Sequence, residues 1–346
     1  MLIIASTLIG CSTATKTTSA EVITGTEGIT AVFSKNAPPA KVFENNNFPV
    51  LIRIRNAGAY SIPQSPAESQ GVISIGREKD YVPALSIEEN SRLAKSKEQN
   101  KDNEMYFFVD GKSQINQQGD ELIASLIATT GKLDTQSEHR VSTITANLCY
   151  PYKTMLSTTV CIDPDVAGLR PGKKVCAVAD LPFANGQGAP IAITKIESLM
   201  VPEIDSEVIK PQFLIYVQNV GGGNPVNLAG FRKACGNDFD KNDRINNRWN
   251  VAALRAFTSS QNGVQQLVCC PNINSECPDN EADLSNPDKI TGFIRLQDKK
   301  DFVRCTFRNG IPKGFDAYTS PLKIEIDYGY VQTISANFII QKPLKY

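Results

Sequence analysis

Two stretches of the chain alternate apolar and polar side chains in the same way and end on the same turn residues. Residues 48–58 read Phe-Pro-Val-Leu-Ile-Arg-Ile-Arg-Asn-Ala-Gly, and residues 211–221 read Pro-Gln-Phe-Leu-Ile-Tyr-Val-Gln-Asn-Val-Gly. Alternation with a period of two is typical of a strand with one buried face, and the Asn-x-Gly that follows predicts a turn with glycine at positive φ. We therefore predict equivalent strands in two copies of one fold, 163 residues apart.

A second pair of matching segments follows later in each copy. Residues 149–152 read Cys-Tyr-Pro-Tyr, and residues 327–330, which lie 178 positions further on, read Asp-Tyr-Gly-Tyr. We predict that each Tyr-x-Tyr precedes a hairpin and a closing strand, which in the first copy pairs residues 141–152 with residues 157–162. The larger offset indicates a net insertion of about fifteen residues in the second copy.

About seven short strands per copy, separated by Gly, Pro and Asn turns, predict an all-β fold of two tandem β-sandwiches. Residues 86–104 are densely charged without an apolar period, which favours an exposed loop or a frayed helix. The domain boundaries that we predict are a signal remnant over 1–10, a tether over 11–21, a first sandwich over 22–165, a linker over 166–174 and a second sandwich with an insertion over 175–346.

The strand that ends in Asn-x-Gly resembles one near the start of the immunoglobulin-like modules of archaeal and bacterial surface proteins, including the CARDB-type adhesion-related domains. The matching residues are 52–58, Ile-Arg-Ile-Arg-Asn-Ala-Gly, and 215–221, Ile-Tyr-Val-Gln-Asn-Val-Gly. The resemblance implies two tandem immunoglobulin-like β-sandwich domains and carries no catalytic residues. Unlike in an antibody-type domain, the sole tryptophan, Trp249, lies in a polar stretch. The whole chain resembles a prokaryotic, archaeal surface lipoprotein.

The beginning of the chain carries a candidate lipid-attachment site. The apolar run at residues 2–5 is followed by Leu-Ile-Gly-Cys at residues 8–11, which resembles the lipobox of bacterial and archaeal lipoproteins. In that family the cysteine, here Cys11, becomes the lipid-bearing first residue on the extracytoplasmic face of the membrane. The apolar run is short and no basic residue precedes it, so an ordinary first strand with a buried thiol is the alternative. Residues 12–21 contain no large apolar side chain and predict a flexible tether.

The chain contains nine cysteines, and the eight that follow Cys11 predict disulfides, because an even number in an exported chain is typical of a disulfide framework. We predict that Cys149 pairs with Cys161 across the hairpin of residues 141–162. The other six are expected to pair within or near the second domain, with open connectivity: Cys176, Cys235, Cys269, Cys270, Cys277 and Cys305. A structural zinc site around Cys269, Cys270 and Cys277 is the alternative, but no Cys-x-x-Cys spacing supports it.

Charge and hydropathy narrow the choice of partners. The 36 basic residues balance the 36 acidic ones, so no nucleic-acid surface is predicted. Past residue 10 no apolar run approaches the roughly 18–20 residues that span a bilayer. Contact with a membrane is therefore predicted only through the lipid on Cys11, and the remaining partners are an envelope protein or a glycan.

Candidate chemistry is sparse. Asp238, Asp240, Asn242 and Asp243 place oxygen ligands at nearly alternating positions, as calcium loops do, but the glycine and the final glutamate of an EF-hand are missing. We predict a solvated acidic loop there, with Ca²⁺ as the alternative, and no other cofactor. The single histidine, His139, stands in a polar stretch without a serine-elbow motif elsewhere, which predicts a surface residue.

These observations favour a lipid-anchored, non-enzymatic cell-surface protein that binds an envelope protein, a glycan or a neighbouring cell. The first alternative is a structural envelope component whose β-domains assemble into a filament or layer. The second is an exported hydrolase that uses a pair of carboxylates, which the sequence does not single out.

Overall fold

The computed structural model describes residues 24–97, 101–204, 206–236, 249–260, 263–271 and 292–343. The strands of the first unit are β1 (Ile29–Phe33), β2 (Lys41–Phe43), β3 (Asn47–Asn56), β4 (Gly71–Arg77), β5 (Ala84–Glu88), β6 (Leu93–Lys95), β7 (Glu104–Phe107), β8 (Glu121–Thr129) and β9 (His139–Ile162). The strands of the second unit are β10 (Leu181–Pro182), β11 (Ile191–Pro202), β12 (Val208–Asn219), β13 (Asn224–Val226), β14 (Val251–Ser260), β15 (Gly263–Gln266), β16 (Val268–Pro271), β17 (Phe293–Arg295), β18 (Lys300–Thr306), β19 (Ile311–Pro312) and β20 (Tyr318–Gln341).

Helical structure in these ranges is limited to α1 (Phe231–Cys235) and to the 3-10 turns Ala67–Ser69 and Leu228–Gly230. No helix of the described residues has the length and hydropathy needed to cross a bilayer. The predicted all-β fold is confirmed.

Each unit contains a sheet with the same strand order, β1-β3-β8-β5 in the first and β11-β12-β18-β16 in the second. This is the A-B-E-D order of an immunoglobulin-type sandwich, counted along the chain. The strands that correspond to C and F pair as β4 with β9 and as β14 with β20. The predicted immunoglobulin-like architecture is therefore confirmed, and the two Asn-x-Gly strands, β3 and β12, occupy the equivalent B position.

The two units are joined through their last strands. β9 and β20 are each 24 residues long and pair antiparallel along their whole length. Each unit thus has the F strand of the other unit at the position where an immunoglobulin domain has its G strand. The pairing merges the C and F strands of both units into one ten-stranded sheet, ordered β15-β14-β20-β9-β4-β7-β6 along its main path.

Four buried tyrosines mark the centre of this pairing. Tyr150 lies opposite Tyr330, and Tyr152 lies opposite Tyr328. Their exposed fractions are 0–2%, and neighbouring ring centroids are 5.7–6.3 Å apart. Exchanging the two units places each of these cross-strand tyrosine pairs on the other pair. An approximate two-fold axis therefore passes through this tyrosine cluster. The duplicated Tyr-x-Tyr thus lies at the centre of the contact between the two copies.

The tyrosine cluster also explains the Asn-x-Gly motif in the first unit. The Tyr152 hydroxyl donates to Oδ1 of the buried Asn56 at 3.1 Å, and the Gly58 amide donates to the same oxygen at 3.2 Å. The Asn56 side-chain amide donates to the Tyr60 carbonyl at 2.8 Å. Every hydrogen-bonding atom of this buried side chain is thereby used, as burial requires.

The second unit repeats this arrangement. The Tyr330 hydroxyl donates to Oδ1 of Asn219 at 3.0 Å, the Gly221 amide donates to it at 3.2 Å, and the asparagine amide donates to the Gly223 carbonyl at 2.8 Å. A Cβ on Gly221 would lie 2.3 Å from the Tyr330 hydroxyl. Close approach is thus the reason for glycine here. The predicted positive φ is wrong, since neither motif glycine is among those with positive φ.

The predicted hairpin between residues 141–152 and 157–162 is wrong, and so is the Cys149–Cys161 disulfide predicted across it. Residues 153–156 read Lys-Thr-Met-Leu and contain none of the residues that favour turns, so β9 runs straight from one sandwich into the other. Cys149 and Cys161 are 12 positions apart on one strand, which at about 3.3 Å per residue separates them by about 40 Å. The hairpin predicted after the second Tyr-x-Tyr is likewise absent, because this part of the chain is one continuous strand, β20.

The disulfides instead tie β9 to the second half of the chain. Cys149 bonds to Cys235 of α1, and Cys161 bonds to Cys176. These two cysteines, Cys149 and Cys161, had been expected to bond to each other. Cys269 and Cys305 join the neighbouring strands β16 and β18, and Cys270 is disulfide-bonded as well. Cys11, Cys277 and the calcium candidates at 238, 240, 242 and 243 lie outside the described residues.

Peptide mapping without reduction is expected to recover a peptide with Cys149 joined to Cys235 and another with Cys161 joined to Cys176, because these pairs are within bonding distance in the folded chain. The same digest after reduction is the control. Recovery of Cys149 joined to Cys161 would contradict the continuous strand.

Two further stretches differ from prediction. Residues 86–104, predicted as a loop or frayed helix, include the end of β5, all of β6 and the start of β7. In the described part of this stretch most charged residues are exposed or half-buried, whereas Glu104 and apolar residues such as Ile87 and Leu93 are buried. β14, which pairs with β20 in the middle of the large sheet, was missed because its alanine-rich sequence alternates weakly.

Candidate binding groove at the junction of the units

A groove of about 640 Å³ lies where the first unit passes into the second. One wall comes from β11 and the other from the segment that connects β9 to β10. We call it the junction groove, and its lining residues are Asp163, Val166, Lys174, Cys176, Ala177, Val178, Ser198, Leu199 and Met200.

The β11 wall is an open sheet edge. β10 pairs with β11 only at Lys195 and Ile196, and no strand of the described chain pairs with residues 197–202 on that side. The connecting segment leaves the edge before Leu181, and its Cys176 is bonded to Cys161 at the end of β9. An unpaired edge presents backbone N–H and C=O groups that can pair with another strand.

A buried hydroxyl lines the groove on this edge. Ser198 is only 8% exposed, and its Oγ has no hydrogen-bond partner in the described part of the chain. Leaving a buried polar group unpaired costs about 1–3 kcal/mol. A ligand group that reaches the Ser198 hydroxyl from the groove would therefore satisfy it.

Ion pairs and backbone hydrogen bonds hold the connecting segment in shape. The Lys174 ammonium donates to Asp163 Oδ2 at 2.6 Å and to the Asp165 carbonyl at 2.7 Å, and the hydrogen bond to Asp163 raises the pKa of Lys174. Desolvation alone would raise the pKa of Asp165, but hydrogen bonds from the Leu169 and Arg170 amides lower it overall. The segment is thus an ordered wall of the groove.

A second ionic cluster lies where β10 begins to cover the edge. Lys195 Nζ is 2.7 Å from Glu197 and 2.9 Å from Asp180. Hydrogen bonds to Glu197 and then Asp180 raise the pKa of Lys195. This cluster has one negative charge in excess, whereas at the other end of the groove Arg170, Lys173 and Lys174 balance Asp163, Asp165 and Asp316.

Exposed apolar side chains surround the same site. Val166 is 52% exposed, Val175 76% and Leu199 45%. Phe315, which is 40% exposed, lies beside Val175 in an adjoining depression. Clusters of exposed apolar residues with a polar rim are typical of interaction sites.

The groove suits binding better than catalysis. Its lining contains one carboxylate, Asp163, which is paired with Lys174, whereas glycoside hydrolysis needs two. In the ranges that the structure describes, no group of three or more His, Cys, Asp or Glu side chains could hold a metal ion. His139 is an exposed residue at the start of β9, as predicted.

Sequence reasoning did not find this site. Its walls come from residues about twenty positions apart, and neither carries a motif. The one usable signal was Cys176 next to the predicted linker, because a disulfide at that point fixes the position of the connecting segment.

Comparison with known proteins leaves the family open. No protein-family model and no curated protein matches the chain. Among solved structures, the chain is aligned with the C-terminal domain of the Streptococcus pyogenes antigen I/II-family protein AspA at 7% identity, over 92% of this chain and 100% of that one, with a TM-score of 0.21. The collagen adhesin CNA from S. aureus aligns at 10% identity over 93% and 94% of the two chains, with a TM-score of 0.13. Similarities this low do not establish a common fold. The groove is therefore the basis for assigning a function.

Proposed function

We propose that this protein is a lipid-anchored, non-enzymatic binding protein of the cell surface, which captures an envelope protein or a protein of a neighbouring cell in the junction groove. The observation that carries the proposal is the open edge of β11, which faces an apolar groove and offers the unpartnered Ser198 hydroxyl. The disulfides support an extracytoplasmic location, because such bonds persist in oxidising compartments.

Replacing the proposed lipid acceptor is expected to release the protein from the membrane. The Cys11→Ser variant should move from the membrane fraction to the soluble extracytoplasmic fraction, because one thioether-linked lipid is its proposed attachment. Intact mass of the wild type should show the lipid. A variant that fractionates like the wild type, with no lipid on either protein, would show that Cys11 is not the anchor.

The binding role is tested with variants of two exposed leucines. Beads that carry the Leu199→Glu variant should retain much less of a detergent-solubilised envelope fraction than beads with the wild type. Leu228→Glu is the matched control, because Leu228 is 39% exposed, close to the 45% of Leu199, but does not line the groove. Equal retention by all three proteins would contradict binding at the groove.

A further inference from the structure

We infer that the junction groove binds an extended polypeptide segment, which adds as a strand to the free edge of β11, places aliphatic side chains in the groove and carries basic residues at the end that lies beside Glu197. This inference depends on the proposed function for the location of the site, and it adds the chemical class of the partner.

The backbone of β11 determines the class of ligand. Over residues 197–202, β11 pairs with β12 on one side, and no strand within the described ranges pairs with its other side. That open stretch is about 20 Å long at about 3.3 Å per residue. Alternating N–H and C=O groups along such a line are complementary to another extended polypeptide backbone, which is the basis of peptide recognition by strand addition. A sugar or a small organic ligand does not offer donors and acceptors at this repeat.

The side chains of the groove determine which residues the segment carries. Leu199, Met200, Ala177 and Val178 give the walls an aliphatic character, which favours valine, isoleucine or leucine in the ligand. The Ser198 hydroxyl, which is buried and unpartnered, favours a polar group such as a threonine hydroxyl or a backbone carbonyl beside it. Alternating aliphatic and threonine residues meet both requirements, because side chains alternate between the two faces of a strand.

The charges around the groove determine the flanks of the segment. One end has Asp163 and Asp165 with Lys174, and the other has Asp180 and Glu197 with Lys195. The second of these ends has one negative charge in excess, whereas at the first end Arg170, Lys173 and Lys174 balance Asp163, Asp165 and Asp316. Basic residues on the flank that lies beside Asp180 and Glu197 complement this pattern, whereas an acidic flank is repelled there.

The Cys161–Cys176 disulfide keeps the edge accessible. If the connecting segment continued the β10 ladder backwards from Leu181 opposite Ile196, residues 175–180 would cover the open part of β11. The bond from Cys176 to the end of β9 draws the segment towards the large sheet, and the groove is the space that remains between them.

The test uses the purified full chain with the Cys11→Ser substitution and a fluorescent synthetic peptide, Lys-Lys-Thr-Val-Thr-Val-Thr-Lys-Lys. Fluorescence anisotropy is expected to show saturable binding at micromolar concentrations. The same peptide with alternate backbone amides methylated should bind about tenfold more weakly, because it lacks the donors for strand pairing. A peptide with glutamate in place of each lysine should also lose affinity, and this loss should diminish at high salt.

Two variants of the connecting segment locate the site. Ala177→Trp places a large ring in the groove and is expected to reduce peptide affinity about tenfold. Ala179→Trp, two residues further on in the same segment and outside the groove lining, should bind within about twofold of the wild type. Circular dichroism and the melting temperature of both variants show whether they fold.

Equal binding of the methylated peptide, or undiminished binding by a folded Ala177→Trp variant, would overturn strand addition at the groove. Concentration-dependent dimerisation of the wild type that Ala177→Trp abolishes would also overturn it, since the occupant would then be a second copy of the chain. Loss of envelope capture by Leu199→Glu with no binding of the basic peptide would overturn the inference about the ligand and leave the proposed function standing. Binding of the basic peptide without envelope capture would support the inference about the ligand and overturn the proposed function.

Discussion

Raising the pH above 10 is expected to unfold this protein in a steep transition, because the four tyrosines of the cluster ionise more readily in the unfolded chain than when they are buried. Burial raises the pKa of Tyr330 to about 12 and that of Tyr150 and Tyr328 well above 10. Burial also raises the pKa of Tyr152. In the unfolded chain all four ionise near pH 10.

The sign follows from proton binding in the two states. A neutral tyrosine in the folded state contributes its full stability below pH 10, and this contribution falls as the pH rises towards the folded-state pKa, since the unfolded state then binds fewer protons. Each of the four groups lowers the free energy of unfolding by about 1.4 kcal/mol per pH unit in that window. Because tyrosine has no charge at neutral pH, no comparable loss from this cluster is expected below pH 9.

Absorbance at 295 nm and circular dichroism, followed together, check this prediction. Of the ten tyrosines, four should ionise only as the β-sheet signal is lost. Ionisation of the chain in denaturant, where all ten should titrate near pH 10, is the control. A titration in which all tyrosines ionise near pH 10 while the sheet signal persists would contradict the buried cluster.

Replacing Gly221 with alanine is expected to destabilise the fold by about 3 kcal/mol or more. The added Cβ would lie 2.3 Å from the Tyr330 hydroxyl and 2.7 Å from the Pro190 Cβ. Overpacking of this kind typically costs about 1–3 kcal/mol, and displacing the hydroxyl breaks its bond to Asn219, which leaves buried polar groups unpaired for about 1–3 kcal/mol more. Denaturant unfolding measures the change.

The next glycine provides the matched control. A Cβ on Gly222 meets no atom within 4 Å, so Gly222→Ala should change the stability by less than about 0.5 kcal/mol. Combining Gly221→Ala with Tyr330→Phe removes the hydroxyl that the methyl group would displace. The double variant should therefore lose less stability than the sum of the single variants, and full additivity would contradict the contact.

The repeat could be predicted from the sequence because the residues that define it form short local motifs that occur in both copies. Asn56 and Asn219 end strands whose alternation is visible in the sequence, and each is bonded to the second tyrosine of a Tyr-x-Tyr motif. The prediction of a hairpin failed, because the local sequence pattern does not determine how far β9 extends. The length of β9 depends on β20, which lies almost 180 residues later and supplies a partner for every residue of the strand.

The candidate site could not be predicted for a related reason. Ser198 reads as one polar residue in an alternating strand, and nothing in the sequence shows that its hydroxyl has no partner. The groove exists because β10 is two residues long and because Cys176 bonds to Cys161. Both facts concern the spacing between segments in three dimensions, which hydrophobic periodicity does not report.

The pairing of the two F strands affects how many copies of each surface the protein presents. A symmetric dimer of one-unit chains would present every surface twice, and any change in one copy would appear in the other. Here the two-fold arrangement is contained in one polypeptide, so the halves have diverged. β1 is 5 residues long where its counterpart β11 has 12, and the extra length of β11 forms the groove. Joining two copies in one chain has thus given a scaffold of dimeric form with the proposed recognition surface on one of its two units.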